Sequence, residues 1–121
     1  MRRGRAPNMI RAIAHPPAAL AGYSSFDAAL AGGKLSAELR GRIAIAVVTA
    51  NDCNTCLAAH THFGRREGVP EKELAAARDG HSADSATAAA LRFTLVAPRG
   101  IGHVPKAEQA AMRAAGFGTR H

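Results

Sequence analysis

Apolar residues recur along this chain at helical spacing, and turn residues cut the pattern into seven pieces. Asn8 can cap a short helix carrying Ile10 and Ile13, which His15-Pro16-Pro17 interrupts. A second helix is predicted over 18–30, ended by Gly32-Gly33. Ser36 has the chemistry of an N-cap, with Glu38 in the first turn where a carboxylate meets the positive helix end. Leu39, Ile43, Ala46, Val47 and Ala50 then follow helical spacing as far as Asn51. The stretch 43–49 is rich in β-branched residues and would also suit a strand. Its unbroken extension from Ser36, about 14 residues, is long for a strand and predicts a buried helix.

Asn51 or Asp52 is expected to cap the next helix, running from Cys53 to Arg66 and stopping near Gly68. Pro70 opens a short helix to Arg78, ended by Gly80. Asp84 or Ser85 starts a helix over 86–96, closed by Pro98 and Gly100. Pro105 takes the first helical position of a last helix to Ala115, with Gly116 behind it. No strand signal survives elsewhere. The expected fold is all-α, a single helical domain over 1–121 whose first seven residues form a disordered basic head.

Composition adds a constraint on assembly. Apolar residues make up 47% of the 121, but there is no Trp, one Tyr and four Phe. Much of the apolar material is alanine, which favours helix yet buries little area. A lone copy would have a thin core, so self-association is expected. Tyr23 and Phe26 are expected in that core. The net charge is +7, but beyond Arg2, Arg3 and Arg5 the cations are scattered among Ala and Glu. Without aromatic interleaving or a binding motif, no nucleic-acid partner is expected. No run approaches the 18 apolar residues of a membrane span, and Arg11, His15 and two prolines break the only candidate leader at 9–20. A cytoplasmic, reducing setting is the expectation.

The chemistry concentrates in Asp52-Cys53-Asn54-Thr55-Cys56-Leu57-Ala58-Ala59-His60, which holds both cysteines. On a helix, Cys56 and His60 fall within roughly 60° of Cys53, so two thiols and a base share one stripe. Helical i, i+3 cysteines stand close enough for a disulfide. A helix start stabilises a thiolate, but the gain is small. Lowering a thiol pKa from about 8.5 to about 6.5 raises the thiolate from roughly 3% to roughly 75% at pH 7. Intrinsic nucleophilicity falls about eightfold, leaving a net gain of about threefold. Reduction of a peroxide therefore needs His60 as a positioned proton donor, and a second thiol to resolve the sulfenic acid.

Zinc is the first rival, but His62 would lie roughly 180° from Cys53, and a fourth ligand would have to come from His81, His103 or another subunit. Thioredoxin-like chemistry places C-x-x-C after a strand, and strands are missing. Two core cysteines beside an ordinary histidine are the inert alternative. His15 and His121 are expected at the surface, and His81 and His103, each beside glycine, in turns.

The stretch from Leu35-Ser36 through Asn51-Asp52-Cys53-Asn54-Thr55-Cys56-Leu57-Ala58-Ala59-His60-Thr61 resembles the core motif of the AhpD-like alkylhydroperoxidase and carboxymuconolactone decarboxylase superfamily. Arg11-Ala12-Ile13-Ala14-His15-Pro16 is similar to its N-terminal helix and proline break, and Gly68-Val69-Pro70 onward to its later helices. The resemblance implies an all-α fold assembled as a homo-trimer or homo-hexamer, with the C-x-x-C at the start of a central helix. It implies reduction of a hydroperoxide with electrons from a partner thiol protein, and no cofactor or metal. By position it makes Cys56 the attacking thiol, Cys53 the resolving one and His60 the proton relay. The redox members carry a glutamate twelve residues before the first cysteine, where this chain has Gly41. Glu38, nearly one turn earlier, is the auxiliary carboxylate on offer. The residue before the second cysteine, often Tyr or His, is Thr55, and the chain stops soon after Phe117. These departures predict low turnover, and leave a decarboxylase-type enzyme and a redox-sensing or binding oligomer as alternatives.

Overall fold

The computed structural model describes residues 6–118; the basic head as far as Arg5, and His121, fall outside them. Seven helices account for the described secondary structure, with no strand among these residues. The all-α expectation holds, including the helix over the β-branched stretch at 43–49. By their contacts the residues sort into two compact units, one reaching Leu35 and the other starting at Ser36.

The first unit holds α1 (Asn8–Ile13) and α2 (Pro17–Ala31). Pro7, rather than Asn8, stands at the α1 N-cap, and Pro17 opens α2 at a position where a missing N–H costs nothing. Neither helix buries a residue. Tyr23 and Phe26, expected in the core, are 39% and 67% exposed. Within this unit α1, with six residues, is too short to cover the 15 of α2.

The second unit is built around α3 (Ala37–Ala50), which packs against α4 (Asn54–Arg66), α5 (Glu71–Arg78) and α6 (Ser85–Arg99). The last helix, α7 (Lys106–Ala114), packs on α6. Ile45, Ala46, Val69, Leu74, Ala77 and Leu91 form the core, with Ile43, Leu57 and Leu95 against it. Ser36 caps α3 as expected, its Oγ accepting from the Leu39 N–H at 3.1 Å. Asp84 does the same for α6.

All five helices of this unit stop by one device. The residue two past the helix takes a left-handed φ, and the next N–H reaches back to the carbonyl three from the helix end. Gly68, Gly80 and Gly116 fill the left-handed position for α4, α5 and α7, as the glycine pattern suggested. At α3 and α6 it is filled by Asp52 (φ 53°) and Ile101 (φ 50°). This corrects the end expected for α6. Pro98 lies inside the helix, which runs on to Arg99, because a proline removes only its own donor and Ile101-Gly102 supply the stop.

Candidate functional site

The cysteine pair is placed by the end of α3 as much as by the start of α4. Asp52 N–H donates to the Thr49 carbonyl at 3.1 Å, and Cys53 N–H to that of Val48 at 3.0 Å. Asn51 and Asp52 are therefore spent on closing α3, and neither caps α4 as expected. Cys53 itself is the N-cap, with φ −89° and ψ 84°, and its carbonyl accepts the first α4 bond from Leu57 N–H at 2.8 Å. No side chain caps this end, so its first N–H groups remain for an anion at the cysteines.

Cys53 and Cys56 are joined by a disulfide, with Cα atoms 5.3 Å apart. Both are partly buried, and so is His60. His60 lies one helical turn beyond Cys56, about 6 Å along the axis and roughly 40° around it. The stripe continues. Glu67, seven residues after His60, comes back to nearly the same angle two turns on.

Gly41 faces this same side of α4. A Cβ built there would stand 3.7 Å from Glu67 Oε2 and 3.9 Å from Gly64 Cα, both ordinary contacts. The space beside α4 that a side chain at 41 would enter is thus flanked by a carboxylate from α4's own end. Glu67 is not among the carboxylates expected at the site from sequence, although its spacing of seven from His60 places it on the stripe. Glu38 does not point there by any contact it makes. Its side chain is half exposed, and its Oε2 lies 3.6 Å from Arg42 Nη2.

Arg42 belongs to a structural cluster. Its Nη1 donates to Glu73 Oε2 at 3.1 Å, which also accepts from Ser82 Oγ at 2.6 Å, while Glu73 Oε1 accepts from Ala83 N–H at 3.1 Å. Ser82 above all, then Ala83 and the Arg42 charge, hold the Glu73 carboxyl below the usual range. This cluster ties α3 to α5 and to the connection before α6.

His62 stacks edge-on to Phe63, with ring centres 5.8 Å apart, and His15, His81 and His103 are exposed in connections between helices. Among the described residues no three His, Cys, Asp or Glu side chains are grouped so that they could hold a metal ion. Two shallow hollows flank the region, one lined by Val47, Ala50, Leu95 and Pro98, the other by Asn54, Leu57, Thr61 and Arg78. Neither is lined by Cys53, Cys56 or His60. No described helix is long and apolar enough to cross a membrane.

The arrangement can do dithiol chemistry: a pair of sulfurs that close on each other, beside a histidine and uncapped N–H groups. Residues 17–98 match the carboxymuconolactone decarboxylase family, a span holding α2 to α5, most of α6 and the whole cysteine motif. Searches of curated proteins and of solved structures return no match. With more than half its length matched, the chain belongs to the carboxymuconolactone decarboxylase family.

Proposed function

We propose that this chain is a thiol-dependent hydroperoxide reductase of the AhpD-like kind, working slowly. The observation that carries the reading is the Cys53–Cys56 disulfide at the head of α4 with His60 one turn beyond. In the reduced protein the Cys56 thiolate attacks the terminal peroxide oxygen. The O–O bond breaks, His60 gives its proton to the departing alkoxide, and an alcohol leaves. Cys56 is then a sulfenic acid, and the Cys53 thiolate displaces its hydroxide, which takes up a proton and leaves as water. A dithiol of a partner protein reduces the resulting disulfide and is itself oxidised. Assembly as a homo-trimer or homo-hexamer and a cytoplasmic setting belong to the same proposal.

One specific feature favours a second reading, a redox sensor that forms the disulfide without turnover. Gly41 leaves no carboxylate on α3 at the position where the resemblance places one, and Glu38 is engaged with Arg42. The lactone decarboxylase reading does not depend on a cysteine pair, and nothing at the site favours it.

Thiol titration with and without hydroperoxide, in the presence of a small dithiol, separates these readings. Wild type is expected to consume peroxide repeatedly, Cys56→Ser not at all, and Cys53→Ser only as fast as the added dithiol itself reduces the Cys56 sulfenic acid. Reversible disulfide formation without consumption would identify a sensor. Full consumption by Cys56→Ser would overturn the assignment.

A further inference from the structure

We propose, independently of the thiol chemistry, that the hollow between α4 and α5 is a binding site for a small organic carboxylate. The hollow measures about 330 Å³, at the lower end of the range that ligand pockets occupy. Its lining is Asn54, Leu57, Ala58, Thr61, Arg65 and Arg78. The first five share one face of α4, and Arg78 comes from the last turn of α5. Thr61 lies roughly 100° round the helix from His60 and roughly 140° from Cys56. A molecule seated on this face is therefore not the one that meets the sulfurs, but a separate ligand.

Charge sets the sign of that ligand. Two guanidinium groups and no carboxylate line the hollow. Glu71, which does not line it, accepts from Nε of Arg65 and, at 3.0 Å, from Nη2. That pair orients the Arg65 guanidinium and leaves its Nη1 for another acceptor. Arg78 is exposed and makes no hydrogen bond or ion pair with a described residue. Its planar fork of donors matches the two oxygens of a carboxylate.

The rest of the lining describes what accompanies the charge. Leu57 and Ala58 offer apolar surface to a short carbon stem. Thr61, the most buried of the six at 5% exposure, has a buried Oγ1 with no hydrogen-bond partner. Other helical threonines of this unit donate to the carbonyl four residues back, Thr49 to Ile45 at 2.7 Å and Thr94 to Ala90 at 2.8 Å. Thr61 does not, although a hydroxyl buried unpaired is destabilising. A carboxylate seated against Thr61 and Arg78 gives the hydroxyl an acceptor and the guanidinium a counter-charge. The second hollow lacks this combination, having one arginine, Arg99, and a threonine, Thr94, that is already paired.

An NMR titration of the full chain with butyrate at constant ionic strength tests the site. Saturable shifts are expected at Asn54, Thr61 and Arg78, with a dissociation constant in the millimolar range. Butyramide, which has the shape without the charge, and Arg78→Gln are each expected to weaken binding about tenfold. Inorganic phosphate, without a carbon stem, is expected to bind several-fold more weakly, and Arg99→Gln to change nothing. Thr61→Val keeps the shape, so it is expected to hold or raise the melting temperature while weakening butyrate several-fold. Those opposite movements distinguish a binding role from a structural one. No saturable shift across the millimolar range would overturn the proposal. So would equal binding of butyramide or phosphate, unaltered binding by Arg78→Gln, or an equal loss in Arg99→Gln. A lower melting temperature for Thr61→Val would show the hydroxyl already paired within the chain, and would overturn it too.

Discussion

The backbone N–H of Cys53 donates to the carbonyl of Val48 at 3.0 Å, so the first cysteine is anchored to the helix before its own. The anchor exists because Asp52 holds φ at 53°. Aspartate and asparagine tolerate this left-handed conformation, glycine adopts it freely, and β-branched residues resist it. Asp52→Gly and Asp52→Asn are expected to leave stability within about 0.5 kcal/mol, whereas Asp52→Val loses about 1–2 kcal/mol. Urea unfolding of the reduced protein measures the difference, and equal stability of all three would refute this account of the turn.

Ile101 occupies the same position at the end of α6, with φ 50° and 96% exposure. A β-branched residue there has the strain without any burial in return. Ile101→Asn is expected to stabilise by about 1 kcal/mol, a rise of a few degrees in melting temperature. A fall in melting temperature would mean that the isoleucine is covered in solution.

The two glycines where α3 crosses α4 are expected to behave oppositely. A Cβ on Gly64 would stand 2.7 Å from Cδ2 of Leu74, itself in the core, so Gly64→Ala is expected to cost about 1–3 kcal/mol. At Gly41 the Cβ fits, and Gly41→Ala is expected to gain up to about 1 kcal/mol from helix propensity. The close approach is thus at Gly64, against Leu74 of α5, and not at Gly41. Since the site accepts a Cβ, Gly41→Glu tests whether a missing carboxylate limits turnover. Peroxide consumption is expected to rise about tenfold or more over wild type, with Gly41→Gln showing no such rise. Equal rates for Glu and Gln would remove the carboxylate from the mechanism.

The existence and order of all seven helices were legible in the sequence, because Ser36, Asp84 and the glycines after α4, α5 and α7 punctuate the apolar pattern. Boundaries failed where one residue has to serve two neighbours. Asn51 and Asp52 look like caps for α4, but the same residues close α3, and only the backbone path decides between the two uses. Pro98 looks like a stop, but near a helix end it removes a single donor and the helix continues. The Cys56–His60 stripe followed from helical period alone. The relation of Glu67 to Gly41 did not, because it depends on how α3 crosses α4. Tyr23 and Phe26 have the composition of a core, but composition does not set which side chains a short neighbouring helix can reach.

Glu73 predicts the acid limb of stability. Its carboxyl is held below the usual value, chiefly by Ser82, so it binds a proton less readily folded than unfolded. The stabilisation is therefore present above the unfolded value of about 4.5 and is lost as pH falls through the lower, folded value. Glu73→Gln is expected to lower stability at pH 7 and to flatten its decline below about pH 4.5. Denaturant midpoints at pH 3, 4, 5 and 7 check this, and an unchanged decline would assign it to other carboxylates.

The disulfide closes a loop of only two intervening residues. A bridge that short removes little freedom from the unfolded chain, about 2 kcal/mol against nearly 5 for a loop of a hundred residues. The helices of the second unit are held by the packing around α3, which makes no use of the sulfur bond. Opening and closing it therefore changes the chemistry of one turn and leaves the surrounding architecture standing. Such a bond can be used many times over, as a moving part rather than a rivet.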